Sequence, residues 1–411
     1  MKRILLFAAS LASAAAWGQA PLPEASVRAD GRAVNARSVA QLLMEHRPPA
    51  LAFDPGFSAG EFVRWREEVR REMAALMRHP DAGVRPEPRQ LGAEARDGYR
   101  IEKWEGYPID GCAVRFLVLV PDGASEASPP PAVLCIPGSG QTKELLAGEQ
   151  PLAPAHGAPG PVVRDDMARQ FVRAGLIAVA VDNPCAGETC DLESLASAPR
   201  GYDYDDTSRM LLELGWSYQG YTSFVDKYVL DWMKRRPAVR RDRIVVSGFS
   251  LGTETLMALG ALDDEIFAFV YNDFLCRTRE RLLSMTLPGA DGRRHFPNSI
   301  RHLIPGMLVQ FDFPDLVAAL APRPVICTEG GMDRDFRLVE RAYAVAGNPE
   351  GCRCLHQPRF AEASAREAVD RLPHGLTREE FFRLACVDPA NHYFKGEVIV
   401  PWLLERLEAG H

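Results

Sequence analysis

From residue 99 onward, short continuous apolar runs alternate with segments whose apolar residues have helical spacing. Short apolar runs without polar alternation predict strands that are buried on both faces, at residues 113–120, 132–136, 176–181, 243–247, 267–271, 324–328 and 353–357. Apolar residues at helical spacing predict helices between them, at residues 162–173, 223–235, 251–262, 337–345, 378–384 and 398–408. This order predicts an α/β fold with a mostly parallel, doubly wound sheet.

The first 95 residues have a different pattern. Residues 39–46 and 59–77 have helical spacing, and the second segment places four apolar residues on one face: Phe62, Trp65, Val69 and Met73. Pro and Gly residues separate the two segments. We therefore expect residues 21–95 to form a helical N-terminal extension that packs on an α/β domain over residues 96–411.

Residues 1–20 are predicted to be a signal peptide. Lys2 and Arg3 precede an apolar run that ends in small residues suited to cleavage. The run is shorter than the roughly 20 apolar residues that a membrane-spanning helix requires, and no later stretch approaches that length. We therefore expect a secreted or periplasmic protein with no membrane span in the mature chain.

Two long connections interrupt the alternation, at residues 183–221 and 274–322. Connections of this length in a compact domain are usually functional lids or disordered insertions. We interpret both as insertions in the α/β domain.

The most specific motif is Gly248-Phe249-Ser250-Leu251-Gly252, which lies between a β-branched run and a helical pattern. A Gly-x-Ser-x-Gly motif between strand and helix is typical of a nucleophile elbow, in which a strained turn exposes the serine at the top of a sheet. The same residues could form an ordinary glycine-rich turn with an uninvolved serine. The context predicts that Ser250 is a catalytic nucleophile.

A serine nucleophile needs a base and an orienting acid, and in this sheet class both follow it in the chain. After the predicted strand at 324–328 comes a glycine turn followed by Asp333, which we choose as the acid; Asp335 is a competitor, and either could instead cap the next helix. Three histidines follow the last predicted strand. His411 is terminal and His374 lies in a surface turn, so His392 is the predicted base.

The reaction also needs donors for the oxyanion of the tetrahedral intermediate. One is expected to be the backbone N–H of Leu251, directly after the nucleophile. The second is expected from the loop after the strand at 132–136, where Gly138 and Gly140 flank Ser139. We choose the Ser139 N–H, although this loop could also be a plain glycine-rich turn.

Net charge and cysteine content limit the kinds of partner and cofactor that the sequence suggests. The 411 residues carry a net charge of −7, which becomes −9 when Lys2 and Arg3 leave with the signal peptide. This charge argues against nucleic acid or an anionic surface as a partner. There are nine cysteines, of which Cys185 and Cys190 flank a turn and could form a disulfide in an oxidising compartment. No zinc motif is present, and we expect neither a metal nor a cofactor.

Several segments together resemble the α/β-hydrolase superfamily. They are Leu134-Cys-Ile-Pro-Gly-Ser-Gly140, Val181-Asp-Asn-Pro-Cys-Ala-Gly-Glu188, the elbow with its helix, Phe274-Leu-Cys-Arg277, residues 313–324, and Asn391-His-Tyr-Phe-Lys-Gly396. More closely, residues 100–410 are similar to secreted bacterial esterases of the acetyl-xylan-esterase and dienelactone-hydrolase-like group. The resemblance implies an eight-stranded sheet whose first strand is antiparallel, with a Ser-His-Asp triad.

The sequence departs from these relatives at several positions. Many relatives carry His-Gly where Pro137-Gly138 stands. Dienelactone hydrolases proper use cysteine at the elbow, and glucuronoyl esterases carry Cys-Ser-Arg where this chain has Phe249-Ser250-Leu251. The departures argue against both of these activities.

The sequence thus favours a secreted serine esterase that removes short acyl groups, such as acetyl, from carbohydrate or a similar polar alcohol. One alternative is a serine peptidase of the prolyl-oligopeptidase type, but the segment before the α/β domain is too short and too helical for a propeller. Another is a hydrolase fold that only binds ligands, which the presence of all three triad residue types disfavours.

Overall fold

The computed structural model of the protein describes residues 30–149, 165–191, 204–287 and 298–409. The predicted signal peptide (1–20), His411 and parts of both predicted insertions lie outside these ranges. The described residues from Pro49 onward form one compact unit. The segment before it contains helix α1 (Ala36–His46), whose N-terminus is capped by the Asn35 side chain, which accepts a hydrogen bond from the Ser38 N–H.

A sheet of nine strands runs through the larger unit in the order β1-β2-β3-β5-β4-β6-β7-β8-β9. The strands are β1 (Arg89–Arg96), β2 (Tyr99–Gly106), β3 (Val114–Pro121), β4 (Ala132–Ile136), β5 (Ile177–Val181), β6 (Ile244–Phe249), β7 (Ala268–Asn272), β8 (Val325–Cys327) and β9 (Cys352–Cys354). The first three strands pair antiparallel, β3 is antiparallel to β5, and β5, β4 and β6–β9 are parallel. The predicted fold is confirmed, with one strand more than the resemblance implied.

Helices cover both faces of the sheet, as the unbroken apolar strands predicted. They are α2 (Ala59–Met77), α3 (Lys143–Ala147), α4 (Met167–Arg173), α5 (Tyr204–Glu213), α6 (Tyr218–Arg235), α7 (Gly252–Leu262), α8 (Thr278–Ser284), α9 (Met307–Gln310), α10 (Phe313–Ala318), α11 (Asp333–Val345), α12 (Arg378–Leu384) and α13 (Gly396–Ala409). Alternate residues of the central strand β4 belong to different cores: Leu134 packs in one hydrophobic cluster, and Val133 and Cys135 pack in the other.

The segment before the sheet packs on one of these faces through α2. Ser58 and Glu61 form a reciprocal capping box at its N-terminus. Its predicted core residues are buried, and the helix contacts α6 and α7. The expected helical extension ends earlier than residue 95, because residues 89–96 are strand β1. That strand has seven exposed residues and one half-buried residue. Such an exposed strand lacks the apolar run on which the sequence reasoning relied.

The two predicted insertions contain helices rather than plain loops. The first includes α5 and the start of α6, and the second includes α8, α9, α10 and a short 3₁₀ helix (Ile300–His302). In the first insertion no disulfide joins Cys185 and Cys190; the Cys190 thiol donates to the carbonyl oxygen of Cys185 at 2.8 Å. None of the helices in the described ranges combines the length and the apolarity that crossing a bilayer demands.

Candidate active site

Ser250 occupies a strained turn between β6 and α7. Its φ of 51° lies in the left-handed region, which residues other than glycine rarely adopt. A Cβ on Gly248 would lie 2.5 Å from the carbonyl oxygen of Gly252, and a Cβ on Gly252 would lie 2.5 Å from the carbonyl oxygen of Ile136. The two glycines of the motif are therefore required by close backbone contacts, and the turn has the geometry of a nucleophile elbow.

His392 lies in the segment before α13, as the sequence predicted, and lines the same cavity as Ser250. Its ring stacks on Phe249 with the ring centroids 4.7 Å apart. Its Nδ1 forms a short hydrogen bond with Oε2 of Glu329. The Nδ1–H donates to this carboxylate, so Nε2 carries the lone pair that a general base needs.

Glu329 is held rigidly at the carboxyl end of β8, where its side chain is only 1% exposed. Its Oε1 accepts hydrogen bonds from the Tyr393 N–H at 3.1 Å, the Asn272 amide at 2.9 Å and the Lys395 ammonium at 3.1 Å. The Asn272 carbonyl oxygen in turn accepts from the Ser250 N–H at 3.0 Å. One asparagine therefore links the carboxylate to the turn that carries the serine.

The structure does not bring Asp333 to His392. Asp333 is the first residue of α11, and its carboxylate accepts from His356 Nε2 at 2.8 Å and contacts Arg366 Nε at 3.1 Å. The competitor Asp335 is buried beside Arg277, whose Nε donates to it at 2.8 Å. The acid that meets the histidine comes before the glycine turn, directly after the strand, and the sequence reasoning placed it after that turn.

The predicted oxyanion donors also line the cavity. Within the described residues, neither the Ser139 N–H nor the Leu251 N–H has a hydrogen-bond acceptor. The loop that carries Ser139 is fixed from both sides. The Asn183 amide donates to the carbonyl oxygens of Pro137 and Gly138 at 3.0 and 2.9 Å, and the Gly140 N–H donates to the Tyr204 hydroxyl at 2.7 Å. Fixed N–H donors of this kind suit a developing oxyanion.

The cavity that holds these groups has a volume of about 300 Å³. A larger cavity, of about 740 Å³, lies beside β3 and β5 and contains neither the serine nor the histidine. The smaller cavity brings together the strained serine, the histidine–glutamate pair and two N–H groups that have no acceptor among the described residues.

Charges in the site shift its titrating groups. Burial lowers the pKa of His392, but the hydrogen bond and charge of Glu329 outweigh it, so the pKa lies above its usual value. Burial raises the pKa of Asp273, which follows β7, to about 7. Burial also lowers the pKa of Lys395, against the opposing pull of Glu329. The Glu329 carboxylate therefore stabilises the protonated form of the His392 imidazole.

Asp273, Glu329 and His392 place one ligand atom each within 4.8 Å of one another, so they could hold a cation. A cation there would have to replace the Lys395 contact and the hydrogen bond between Glu329 and His392. The observed bonding is that of a charge-stabilised histidine.

Comparisons with known proteins identify the family of the chain. The model of the Abhydrolase family matches residues 23–405. A protein of Bacteroides fragilis described as a candidate acetyl xylan esterase is 52% identical, with a TM-score of 0.87, over 92% of this chain and 97% of its own. No match was found among curated proteins.

More distant structures share the fold. The methylesterase BT1017 is 16% identical, with a TM-score of 0.53, over 86% of this chain and 70% of its own. A glucuronoyl esterase of Teredinibacter turnerae is 14% identical, with a TM-score of 0.50, over 91% of this chain and 93% of its own. The chain thus belongs to the Abhydrolase family and is an esterase of the α/β-hydrolase fold.

Proposed function

We propose that the protein is a serine carboxylic-ester hydrolase whose triad is Ser250, His392 and Glu329. The observation that carries the proposal is the hydrogen bond between His392 Nδ1 and the buried Glu329, in the cavity that exposes the strained Ser250. Glutamate is an accepted triad acid in this fold. It replaces the Asp333 that sequence reasoning chose.

The proposed reaction proceeds through an acyl-enzyme. Ser250 Oγ attacks the acyl carbon while His392 Nε2 accepts its proton, and the N–H groups of Leu251 and Ser139 donate to the oxyanion. The imidazolium, stabilised by Glu329, returns the proton to the leaving alcohol. Water then attacks the acyl-enzyme with His392 as base and releases the acid.

We assign short acyl groups, acetyl first, and carbohydrate or a similar polar alcohol as the substrate. Support for the acyl group comes from the small cavity, which is at the lower end of ligand-site volumes. Support for carbohydrate comes from the 52% identity with a candidate acetyl xylan esterase. The charged, apolar and small-residue order of residues 1–20 supports export to the periplasm or the exterior.

The test compares hydrolysis of 4-nitrophenyl acetate, butyrate and octanoate, followed by acetate release from acetylated xylo-oligosaccharides. We expect kcat/KM to fall with chain length, and Ser250→Ala to lower kcat by about 10⁴- to 10⁶-fold. Ser128→Ala, at an exposed position away from the cavity, is the matched control and should behave as wild type. Wild-type hydrolysis by Ser250→Ala would refute the proposal.

A further inference from the structure

Three arginines line the cavity that contains Ser250, and the proposed reaction uses none of them. Arg281 is on α8, Arg301 is in the short 3₁₀ helix, and Arg378 is the first residue of α12. Arg281 and Arg301 are half-buried, and Arg378 is exposed at the surface. Guanidinium groups are therefore supplied from three separate segments to one small cavity.

Each guanidinium lies over an aromatic ring: Arg281 over Phe274 at 6.0 Å from the ring centroid, Arg301 over Tyr204 at 4.9 Å, and Arg378 over Phe382 at 5.3 Å. Stacking of this kind fixes the plane of a guanidinium and leaves its N–H edges open for a planar oxyanion. The arrangement reduces the side-chain entropy that would be lost on binding.

No carboxylate of the described residues forms an ion pair with these arginines, although acidic side chains line the same cavity. Glu254 is bound by His302 Nδ1 at 2.6 Å and by the Gln219 amide, and Glu329 is bound by His392 and Lys395.

The other two acids of the cavity accept hydrogen bonds from backbone N–H groups. Asp388 accepts from the Ala390 N–H at 3.1 Å, and Asp273 accepts from the Phe274 N–H at 2.8 Å. Each of the four acids thus has a hydrogen-bond donor of its own, and within the described residues none of them forms an ion pair with a guanidinium group.

The arginines themselves have few acceptors. Arg281 donates to the side-chain oxygen of Asn298, and its Nε is buried without an acceptor in the described part of the chain. Arg301 Nε is likewise buried without one. A buried donor that lacks an acceptor is costly, and a bound oxyanion would satisfy it.

We propose that this cavity binds an ester that carries a carboxylate group besides its ester bond, and that Arg281, Arg301 and Arg378 recognise that carboxylate. The inference rests on the proposed function, because it uses the same cavity and the same nucleophile. The chain as a whole carries a net charge of −7, so a preference for anionic esters must come from these local groups and not from the long-range field.

The carboxylate could belong to the alcohol, as in an acetylated uronic acid, or to the acyl group, as in a hemisuccinate. Two matched substrate pairs distinguish these sources. The first pair is acetylated methyl glucuronide and acetylated methyl glucoside, which differ at C6. The second pair is mono-(4-nitrophenyl) succinate and 4-nitrophenyl butyrate.

We expect kcat/KM for the anionic member of one pair to exceed that of the neutral member by about tenfold or more. Arg281→Gln and Arg301→Gln should each reduce this ratio by about tenfold, and the exposed Arg378→Gln by about two- to threefold. Lysine variants at these positions, which keep the charge but lose the planar guanidinium, should retain part of the preference for the anionic ester. Added salt should lower the ratio as well.

Arg337→Gln, at an exposed position of α11, is the matched control and should leave the ratio unchanged. 4-Nitrophenyl acetate, which has no carboxylate, reports the basal esterase in every variant and separates this proposal from the proposed function. Ratios below about twofold in both pairs, or ratios that survive all three glutamine variants with the basal esterase intact, would overturn the proposal.

Discussion

Glu329→Gln, compared with Asp333→Asn, separates the two candidate acids. The glutamine side chain in Glu329→Gln would keep the size of the original and could still accept from the Tyr393 N–H and the Lys395 ammonium. Its amide would instead present a donor to His392 Nδ1, which must then act as the acceptor. The proton would move to Nε2, and the imidazole could no longer remove the proton of Ser250.

The size of the effect follows from the two roles that the carboxylate has. It selects the tautomer and it stabilises the imidazolium, and removing both at a triad of this kind lowers kcat by about 10⁴-fold, or about 5 kcal/mol of activation free energy. Asp333→Asn breaks contacts with His356 and Arg366 only, so kcat should change by less than about threefold.

The assay is steady-state hydrolysis of 4-nitrophenyl acetate between pH 5 and 9, with thermal unfolding of each variant as the folding control. An equal loss in the two variants, or a larger loss in Asp333→Asn, would refute the assignment of Glu329. If Glu329→Gln lowers the melting temperature as well as kcat, Glu329→Asp distinguishes lost catalysis from lost stability, because it keeps the charge and should recover part of kcat.

The remaining predictions concern pH, the elbow and the core. Because the base must be neutral and its pKa is raised by Glu329, kcat/KM should decline as pH falls through a midpoint above 6.5, and the pH profile of Glu329→Gln should shift that midpoint downward. In Gly252→Ala the new Cβ would lie 2.5 Å from the Ile136 carbonyl oxygen, so the loop that carries Ser139 must move, and kcat should fall by about 100-fold; a wild-type value measured with the same ester would contradict this. Lys143 is fully buried and its ammonium contacts the buried carboxylates of Asp182 at 2.7 Å and Glu144 at 2.8 Å. Lys143→Met should lower the free energy of unfolding by about 3–5 kcal/mol in urea titrations, because these carboxylates lose their cation; a change below about 1 kcal/mol would contradict this.

The sequence was sufficient to predict those elements whose apolar pattern matches the side chains that the fold buries. The five apolar residues of β4 and the one-sided spacing of α2 correspond to a strand and a helix with the predicted bounds. The elbow was also recognisable, because Gly248 and Gly252 are demanded by backbone contacts at that turn. His392 was located by its place after the last strand.

Two features, strand β1 and the orienting acid, depend on parts of the fold that are distant in the sequence. Strand β1 is exposed along most of its length and is specified by pairing with β2, so its sequence has no buried face to reveal it. The orienting acid depended on the path of the chain after β8. Gly330 and Gly331, with φ of 87° and 149°, form the turn after β8. The orienting acid, Glu329, lies before this turn, whereas the predicted Asp333 lies after it. The first carboxylate after a buried strand was the signal that could have identified Glu329.

The inferred arginine site could not be derived from the sequence at all. Arg281 and Arg301 are in the second insertion and Arg378 is in α12, so only the folded chain brings them to one cavity. Their lack of carboxylate partners in the described ranges is equally a property of the folded chain. Substrate recognition in this fold depends on such insertions, because the sheet and the elbow are shared by esterases with different substrates.

A fluorophosphonate probe reports directly whether His392 and Glu329 activate Ser250 as a nucleophile. The wild type, Ser250→Ala and Glu329→Gln would be labelled with it, and the modified peptide mapped by mass spectrometry. We expect one label per wild-type chain, on Ser250, no label in Ser250→Ala, and a labelling rate lowered by orders of magnitude in Glu329→Gln. Labelling of another residue, or undiminished labelling of Glu329→Gln, would contradict this expectation.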